Sequence, residues 1–578
     1  MSRKRSRLLS LLPFTALKWC GSIEFRKVRK ASLDPAGSQE STLRKILRYG
    51  RDTEFGRIHG FSHILEAGDR AELYRRYRES VPASDYEYFR HYVNRMKEGT
   101  PDVLFKGKPV MYATTSGSTG EPKWIPVSRR YLKKVYRRMN RCWIYEWQRL
   151  RPGVYSGKFL SVVGKTVEGR TADGTAIGSV SGFTLSKVPR VFSNIYSAPS
   201  AVFGIRDYTA RNYAIMRIGI EQDVTLLVTP NPSTLLELQH NVNDWLDEYI
   251  TDIENGTLTD KVDIPGDIRA ELLKGLSPNP GRAEELRQLR KKHSMLVPRH
   301  FWPNLKILCT WKCGNTQIYV DKIRHGFPKD ILHQEMGYFS SECRAGLVLD
   351  DSDETVLFPH LHFYEFRKAD QADNPDAKFL TLDELVPGER YCPFVTTFSG
   401  LYRYNMNDIV EASAPLFGTT PRIHMVQKVN GIVTITGEKL YESQFIDCVN
   451  RASRETGLGL NYFTAYANLK ESRYDWYFEF SDESVNQKRA EDFSEVVDAF
   501  LKETNIEYAA KRDSNRLKAP ATFRLQKQSF DSFKEAILSR TRRDPSRFKP
   551  NVLAQNEERH DIISQFILKS GLKRKNRK

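Results

Sequence analysis

A chain of 578 residues exceeds the size at which one hydrophobic core stops growing, so two or more domains are expected. With 40% apolar and 11% aromatic residues and no low-complexity run, a disordered or fibrous protein is excluded. The net charge of +19 favours acidic partners such as nucleotides, nucleic acid or anionic lipid without choosing among them, and much of the excess sits in MSRKRSR and KSGLKRKNRK at the two ends.

The first residues outwardly resemble a signal peptide, because basic residues precede LLSLLPFTALKWCG. That stretch carries Lys18, runs into FRKVRK and lacks a small-residue cleavage site, so it is not read as secretory. No segment reaches the roughly 18 to 20 apolar residues of a spanning helix. At most, about the first 30 residues form an interfacial amphipathic helix offering peripheral contact with an anionic membrane. Seven dispersed cysteines (Cys20, Cys142, Cys309, Cys313, Cys343, Cys392 and Cys448) show no repeated CxxC spacing, which points to a reduced, cytoplasmic chain.

From Thr42 to Arg95 apolar residues recur at helical steps, as in Leu73, Tyr74 and Tyr77. Val110 to Thr115 reads as a strand, SGSTGEP as a loop, and Tyr131 to Leu150 as a helix with Val135, Met139, Trp143 and Trp147 on its apolar face. Strand, glycine-rich loop and nearby helix are the usual setting for phosphate binding. The runs VTLLVTP (Val224 to Pro230) and LKILCTW (Leu305 to Trp311) predict buried strands of a parallel, layered sheet. FPHLHFYEFR and RYCPFVTTFSGLYRYN predict paired antiparallel strands, and VTIT and DWYFEF two more among C-terminal helices. The expected organisation is a basic extension over 1–32, a large domain over 33–424, a smaller one over 425–570 and a basic tail over 571–578.

Four segments carry chemistry. Thr114 to Lys123, TTSGSTGEPK, combines glycines that leave backbone N–H groups unobstructed with hydroxyls and a cation, which is what gripping a triphosphate requires; it is not a Walker loop. GYFSSEC (Gly337 to Cys343) ends near a carboxylate, Glu342, and one carboxylate can suffice for a magnesium ion that also bridges phosphates. In YRYNMND, Asp408 follows a strand and can accept both hydroxyls of a ribose, or simply cap a turn. In TGEKL, Lys439 follows a glycine turn, where a solvated Glu438–Lys439 pair is the simplest alternative.

Taken together and in this order, the segments resemble the adenylate-forming superfamily of acyl-CoA synthetases, luciferases and peptide-synthetase adenylation domains. They resemble more closely its auxin-responsive branch, the Gretchen Hagen family of acyl acid amido synthetases. TTSGSTGEPK looks like the superfamily phosphate loop, GYFSSEC like the family's YxSSE motif and YRYNMND like its YRxGD motif, over roughly Met111 to Glu442.

The resemblance implies a large layered α/β N-terminal domain with mixed sheets, and a small mobile α+β C-terminal domain. It implies a nucleotide site of Thr115, Ser116, Gly117, Ser118, Thr119, Gly120 and Lys123 at the phosphates, Tyr338 at adenine with Ser340 and Ser341 beside it, and Asp408 at the ribose. Glu342 would hold Mg2+, and Lys439 would be the catalytic lysine brought in by the small domain. The implied activity is ATP-dependent formation of an acyl-AMP from a carboxylic acid and transfer to an amino acid or other amine, with no obligate nucleic acid. A ligase delivering the acyl group to coenzyme A or a carrier protein shares the first half-reaction. Asn407 stands where the family usually has glycine; asparagine tolerates left-handed backbone, so the turn is expected to persist.

Overall fold

A computed structural model of the chain describes residues 2–115, 123–164, 167–188, 194–313, 317–372, 374, 376–436, 438, 440–513, 517–541, 552–555 and 557–568. The chain divides into two units, Met1–Met425 and Val426–Lys578.

The large unit begins with helix α1 (Ser2–Leu33), whose second half lies on helix α2 (Arg137–Leu150). Gly21 comes so close to α2 that a Cβ there would run into the Arg141 carbonyl and Tyr145 Cβ. Glu24 accepts from Arg138 Nε at 2.7 Å, and Val28 and Ala31 are buried. Residues 1–32 are therefore not an appendage throughout, which corrects the extension expected there. Gly21, Glu24, Val28 and Ala31 recur at helical spacing and share one face, although most of their neighbours are charged. Among the described residues no helix is long and apolar enough to cross a membrane.

The helical reading of Thr42 to Arg95 resolves into Pro35–Gly50, two short helices, Arg70–Ser80 and Tyr86–Lys97, the longer ones started by the side chains of Asp34, Asp69 and Asp85 accepting from first-turn N–H groups. Leu73, Tyr74 and Tyr77 are buried as their spacing requires. The expected helix Tyr131 to Leu150 contains a π-helical turn, Leu132–Tyr136, before α2 proper. Val135, Met139, Trp143 and Trp147 all face the core.

Among the described residues, three sheets complete this unit. Strands β1 (Met111–Thr115) and β2 (Lys123–Val127) pair antiparallel, and β1 pairs parallel with Ala176–Gly178 on its other side. The predicted parallel layer consists of β3 (Lys158–Ser161), β4 (Val224–Val228), β5 (Ile307–Thr310) and β6 (Leu332–Glu335), side by side in that order. β4 and β5 are buried along their whole length, as continuous apolar runs in a doubly covered sheet should be. An eight-stranded sheet contains β7 (Phe363–Lys368), β8 (Arg390–Thr396) and β9 (Asp408–Ser413), with Phe363 opposite Thr396 in the antiparallel β7–β8 pair. On β7 the buried Glu365 accepts from Arg78 Nε and Arg403 Nε, each at 2.8 Å.

The small unit packs helices α3 (Glu442–Thr456) and α4 (Gln487–Thr504) with a four-stranded sheet. Its centre is the antiparallel pair β10 (Leu460–Asn468) and β11 (Arg473–Phe480), flanked in parallel by β12 (Ala521–Arg524) and β13 (Leu553–Ala554). The strand expected at VTIT shrinks to Ile432–Val433. Beyond it the Glu438 carboxylate captures the N–H groups of Ile435 and Thr436 at 2.9 and 2.8 Å, which curls the chain into a turn.

Candidate active site

Ser116, Gly117, Ser118, Thr119 and Gly120 lie outside the described residues, but both ends of their loop are fixed. Thr115 closes β1 directly opposite Lys123, so the loop joins the strands of a hairpin, and the strand β2 lies between it and the expected helix. The residues that follow, WIPV, extend β2 and use their backbone groups against β1. Helix formation starts only after Ser128, whose hydroxyl accepts from Tyr131 N–H at 2.9 Å and donates to the Phe398 carbonyl at 2.7 Å. The loop's exit is thereby tied to the turn preceding YRYNMND. The Lys123 ammonium lies 6.0 Å from the centre of the Tyr86 ring, and Tyr86 is held by the Trp124 N–H at 2.8 Å.

GYFSSEC folds as a second hairpin. Gly337 has φ +106°, and a Cβ there would strike the Gly346 carbonyl, so only glycine serves. Ala345 N–H donates to the Tyr338 carbonyl at 3.0 Å and Ser340 N–H to the Cys343 carbonyl at 2.9 Å. The Ser340 hydroxyl accepts from Cys343 N–H at 3.2 Å. Ser341 and Glu342 therefore occupy the tip. Glu342 is half-buried, and its carboxylate makes no hydrogen bond or ion pair among the described residues.

The hairpin meets the third motif through one short bond: the Tyr338 hydroxyl donates to Asp408 Oδ2 at 2.6 Å, both residues being buried. Burial, reinforced by the adjacent carboxylate, pushes the Tyr338 phenol far above its ordinary range, so it remains a donor. Asp408 opens β9 directly after Asn407, which has φ +54° and donates its N–H to its neighbour Asn405 Oδ1 at 2.9 Å. Asparagine thus holds the left-handed position that the resemblance assigns to glycine. A further tie, Arg344 N–H to the Tyr131 hydroxyl at 2.8 Å, connects the hairpin with the helix that follows β2. The structure therefore brings Tyr338, Ser340, Ser341, Glu342 and Asp408 together and anchors Thr115 and Lys123 at the mouth of the loop.

Glu335, which the sequence reading passed over, ends β6 and accepts from the N–H groups of Lys312, Cys313 and Gly337. It joins the loop after β5 to the base of the hairpin. Burial pushes its carboxyl up to about 7 despite those donors. A lone acid closing the run LHQE at the end of a buried strand was the available signal.

Lys439 lies outside the described residues, but Glu438 does not, and it is fully buried. It accepts from the Tyr474 and Thr436 hydroxyls, each at 2.8 Å, in addition to the two N–H groups already named. Burial alone would raise its carboxyl; the donors outweigh that and hold it below the ordinary range. A solvated Glu438–Lys439 pair is therefore ruled out on the glutamate's side. Among the described residues no group of three or more His, Cys, Asp or Glu could hold a metal ion. A cation at the hairpin would rely on one carboxylate and on oxygens from its ligand, which is how magnesium commonly sits beside phosphates.

Three family models match the chain in succession: the GH3 family N-terminal domain over residues 24–332, the central domain over 355–428 and the C-terminal domain over 443–558. The indole-3-acetic acid-amido synthetase GH3.15 of Arabidopsis thaliana is 25% identical over 93% of both chains. The jasmonoyl--L-amino acid synthetase JAR4 of Nicotiana attenuata is 23% identical over 75% of this chain and 77% of its own. Among solved structures, the GH3.15 acyl acid amido synthetase superposes with a TM-score of 0.80 at 22% identity, over 95% of this chain and 96% of that one, which shows a shared fold. The N-terminal model alone spans more than half of the residues, and the chain belongs to the GH3 family of acyl acid amido synthetases.

Proposed function

We propose that the chain joins a carboxylic acid to an amino acid in two half-reactions. The acid attacks the α-phosphorus of ATP, releasing pyrophosphate, and the amine then attacks the acyl-adenylate carbonyl, releasing AMP. The observation that carries this reading is the match of all three GH3 models in order along the chain, and the names of the relatives support an acyl acid and an amino acid as its partners.

Within this reading the loop from Thr115 to Gly120 and Lys123 meet the phosphates with backbone N–H groups, hydroxyls and a cation. Asp408 accepts the ribose hydroxyls, oriented by the bond from Tyr338, whose ring borders the adenine. Glu342 fits a magnesium ion because its carboxylate has no competing hydrogen bond among the described residues, and a cation there would neutralise phosphate charge. Lys439 supplies positive charge where the reacting carboxylate and α-phosphate gather negative charge. All seven cysteines are thiols, which suits a reducing, cytoplasmic setting.

The test is product analysis after supplying a panel of acids with ATP and either amino acids or coenzyme A. Amides from the amino-acid arm are expected. A thioester as the sole product would place the chain with the ligases that use a thiol acceptor.

A further inference from the structure

Arg344 lies on the returning arm of the hairpin that carries Glu342, and it is 3% exposed. Its guanidinium sits among three aromatic rings, 4.4 Å from the centre of Phe339, 4.6 Å from Tyr136 and 5.1 Å from Trp143. Nη1 donates to Asn140 Oδ1, Nε has no partner, and no carboxylate pairs with the group among the described residues. Beside it the Trp143 indole N–H, on a residue only 7% exposed, also has no acceptor among the described residues. Both groups can only donate. The backbone of Arg344 is served by the Tyr131 hydroxyl and by His362 Nε2, but those bonds would serve any residue and leave the guanidinium unexplained.

Burying a cation without a counter-charge is strongly unfavourable, and an unmade buried hydrogen bond adds to the cost. A ligand bringing an anionic acceptor would relieve both. We propose that this nest is the recognition pocket for the acid substrate, and that the acid carries a second acidic group, remote from the reacting carboxylate, which Arg344 and the Trp143 N–H bind. The inference rests on the adenylation reading of the same site. The reacting carboxylate itself is a poor candidate for this partner. A guanidinium on it would stabilise the ground state and blunt the nucleophile just as its charge moves onto the phosphates. The flat faces of Tyr136, Trp143 and Phe339 suit a short apolar or aromatic spacer between the two acidic groups.

Pyrophosphate exchange with terephthalate and adipate, each against its monomethyl ester, tests the pocket. The wild-type chain should prefer diacid over ester by about thirtyfold in kcat/KM, the worth of a charge-assisted hydrogen bond of about 2 kcal/mol. Arg344→Met should bring that ratio to within about threefold of one, and Trp143→Phe should lower it partway. A wild-type chain that exchanges with diacids and esters alike, or a ratio unchanged in Arg344→Met, would overturn the proposal. Melting curves of the full chain with terephthalate and no ATP give an independent reading. If no acid supports exchange but terephthalate still raises the wild-type Tm and not that of Arg344→Met, the pocket stands and the adenylation reading falls. Absence of any diacid-dependent change in either assay sinks the pocket.

Discussion

Arg403 and Arg344 are both buried in the large unit, one within and one directly after a segment that the resemblance assigns to the nucleotide, yet their surroundings are opposite. Arg403, 3% exposed, gives Nε to Glu365 Oε2 at 2.8 Å and Nη1 to the Val81 carbonyl at 2.8 Å, while Arg78 takes the other oxygen of the same carboxylate. Arg344, equally buried, has an asparagine and three aromatic rings. Arg403 carries its anion with it, as Arg217 does with Glu221, whereas Arg344 and Arg211 are buried against rings with no carboxylate paired among the described residues. Of these two, Arg344 stands on the hairpin proposed to serve the substrates, and there the contrast separates charge used for folding from charge held for a ligand.

Removing its carboxylate would leave Arg403 in the situation of Arg344. Glu365→Ala strands the buried Arg403 and leaves the partly exposed Arg78 without its carboxylate, and is expected to cost about 3 to 5 kcal/mol, read from denaturant midpoints. A loss below about 1 kcal/mol would mean that the cluster contributes little.

Glu335 stands between the two cases, a buried carboxylate satisfied mainly by backbone donors, with the Cys313 thiol beside them. Its carboxyl lies near 7 against an ordinary 4.5, so the folded state favours the protonated form. The resulting stability is complete below about pH 4.5 and is lost as pH rises to about 7, by roughly 3 kcal/mol. Glu335→Gln cannot titrate there. The stability difference between variant and wild type should therefore move toward the variant by up to that amount between pH 5 and pH 8, and a constant difference would contradict the assignment.

Two smaller effects sharpen the contrast. Asn407→Ala places a Cβ-bearing residue without a local polar side chain at φ +54°, which is expected to cost about 1 to 2 kcal/mol, whereas Asn407→Gly should be nearly silent in the same unfolding assay. Arg344→Met should shift stability by no more than about 1 kcal/mol, because relief of an unpaired charge offsets the lost ring contacts. A loss as large as that of Glu365→Ala would make Arg344 a structural residue.

Much of this architecture is legible in the sequence because local chemistry decides it. The apolar runs at Val224 and Ile307 have no stable place outside a covered sheet, and Asn407 is one of few residues that accept a left-handed turn. What escapes the sequence depends on partners far along the chain. The Tyr338–Asp408 bond spans 70 positions, and nothing local distinguishes a tyrosine aimed at adenine from one donating to a carboxylate. Nor does the run of charges around Gly21 reveal that its small and apolar members line one face of α1 against α2. Glu438 reads as a solvent-facing acid until the turn that it organises is seen. The pairing of Arg403 and the isolation of Arg344 are likewise facts of the fold, since both follow similar turn-rich segments.

If the hairpin carrying Glu342 serves an adenylation site, acid-dependent ATP–pyrophosphate exchange must differ between wild type and Glu342→Gln. Glutamine keeps the shape and removes the charge that a phosphate-bound cation requires. Exchange should appear in the wild-type chain only when an acid is added, and should fall by more than about tenfold in a variant whose melting curve is unchanged. Exchange in the variant at the wild-type rate, or none in the wild-type chain with any acid, would contradict the account.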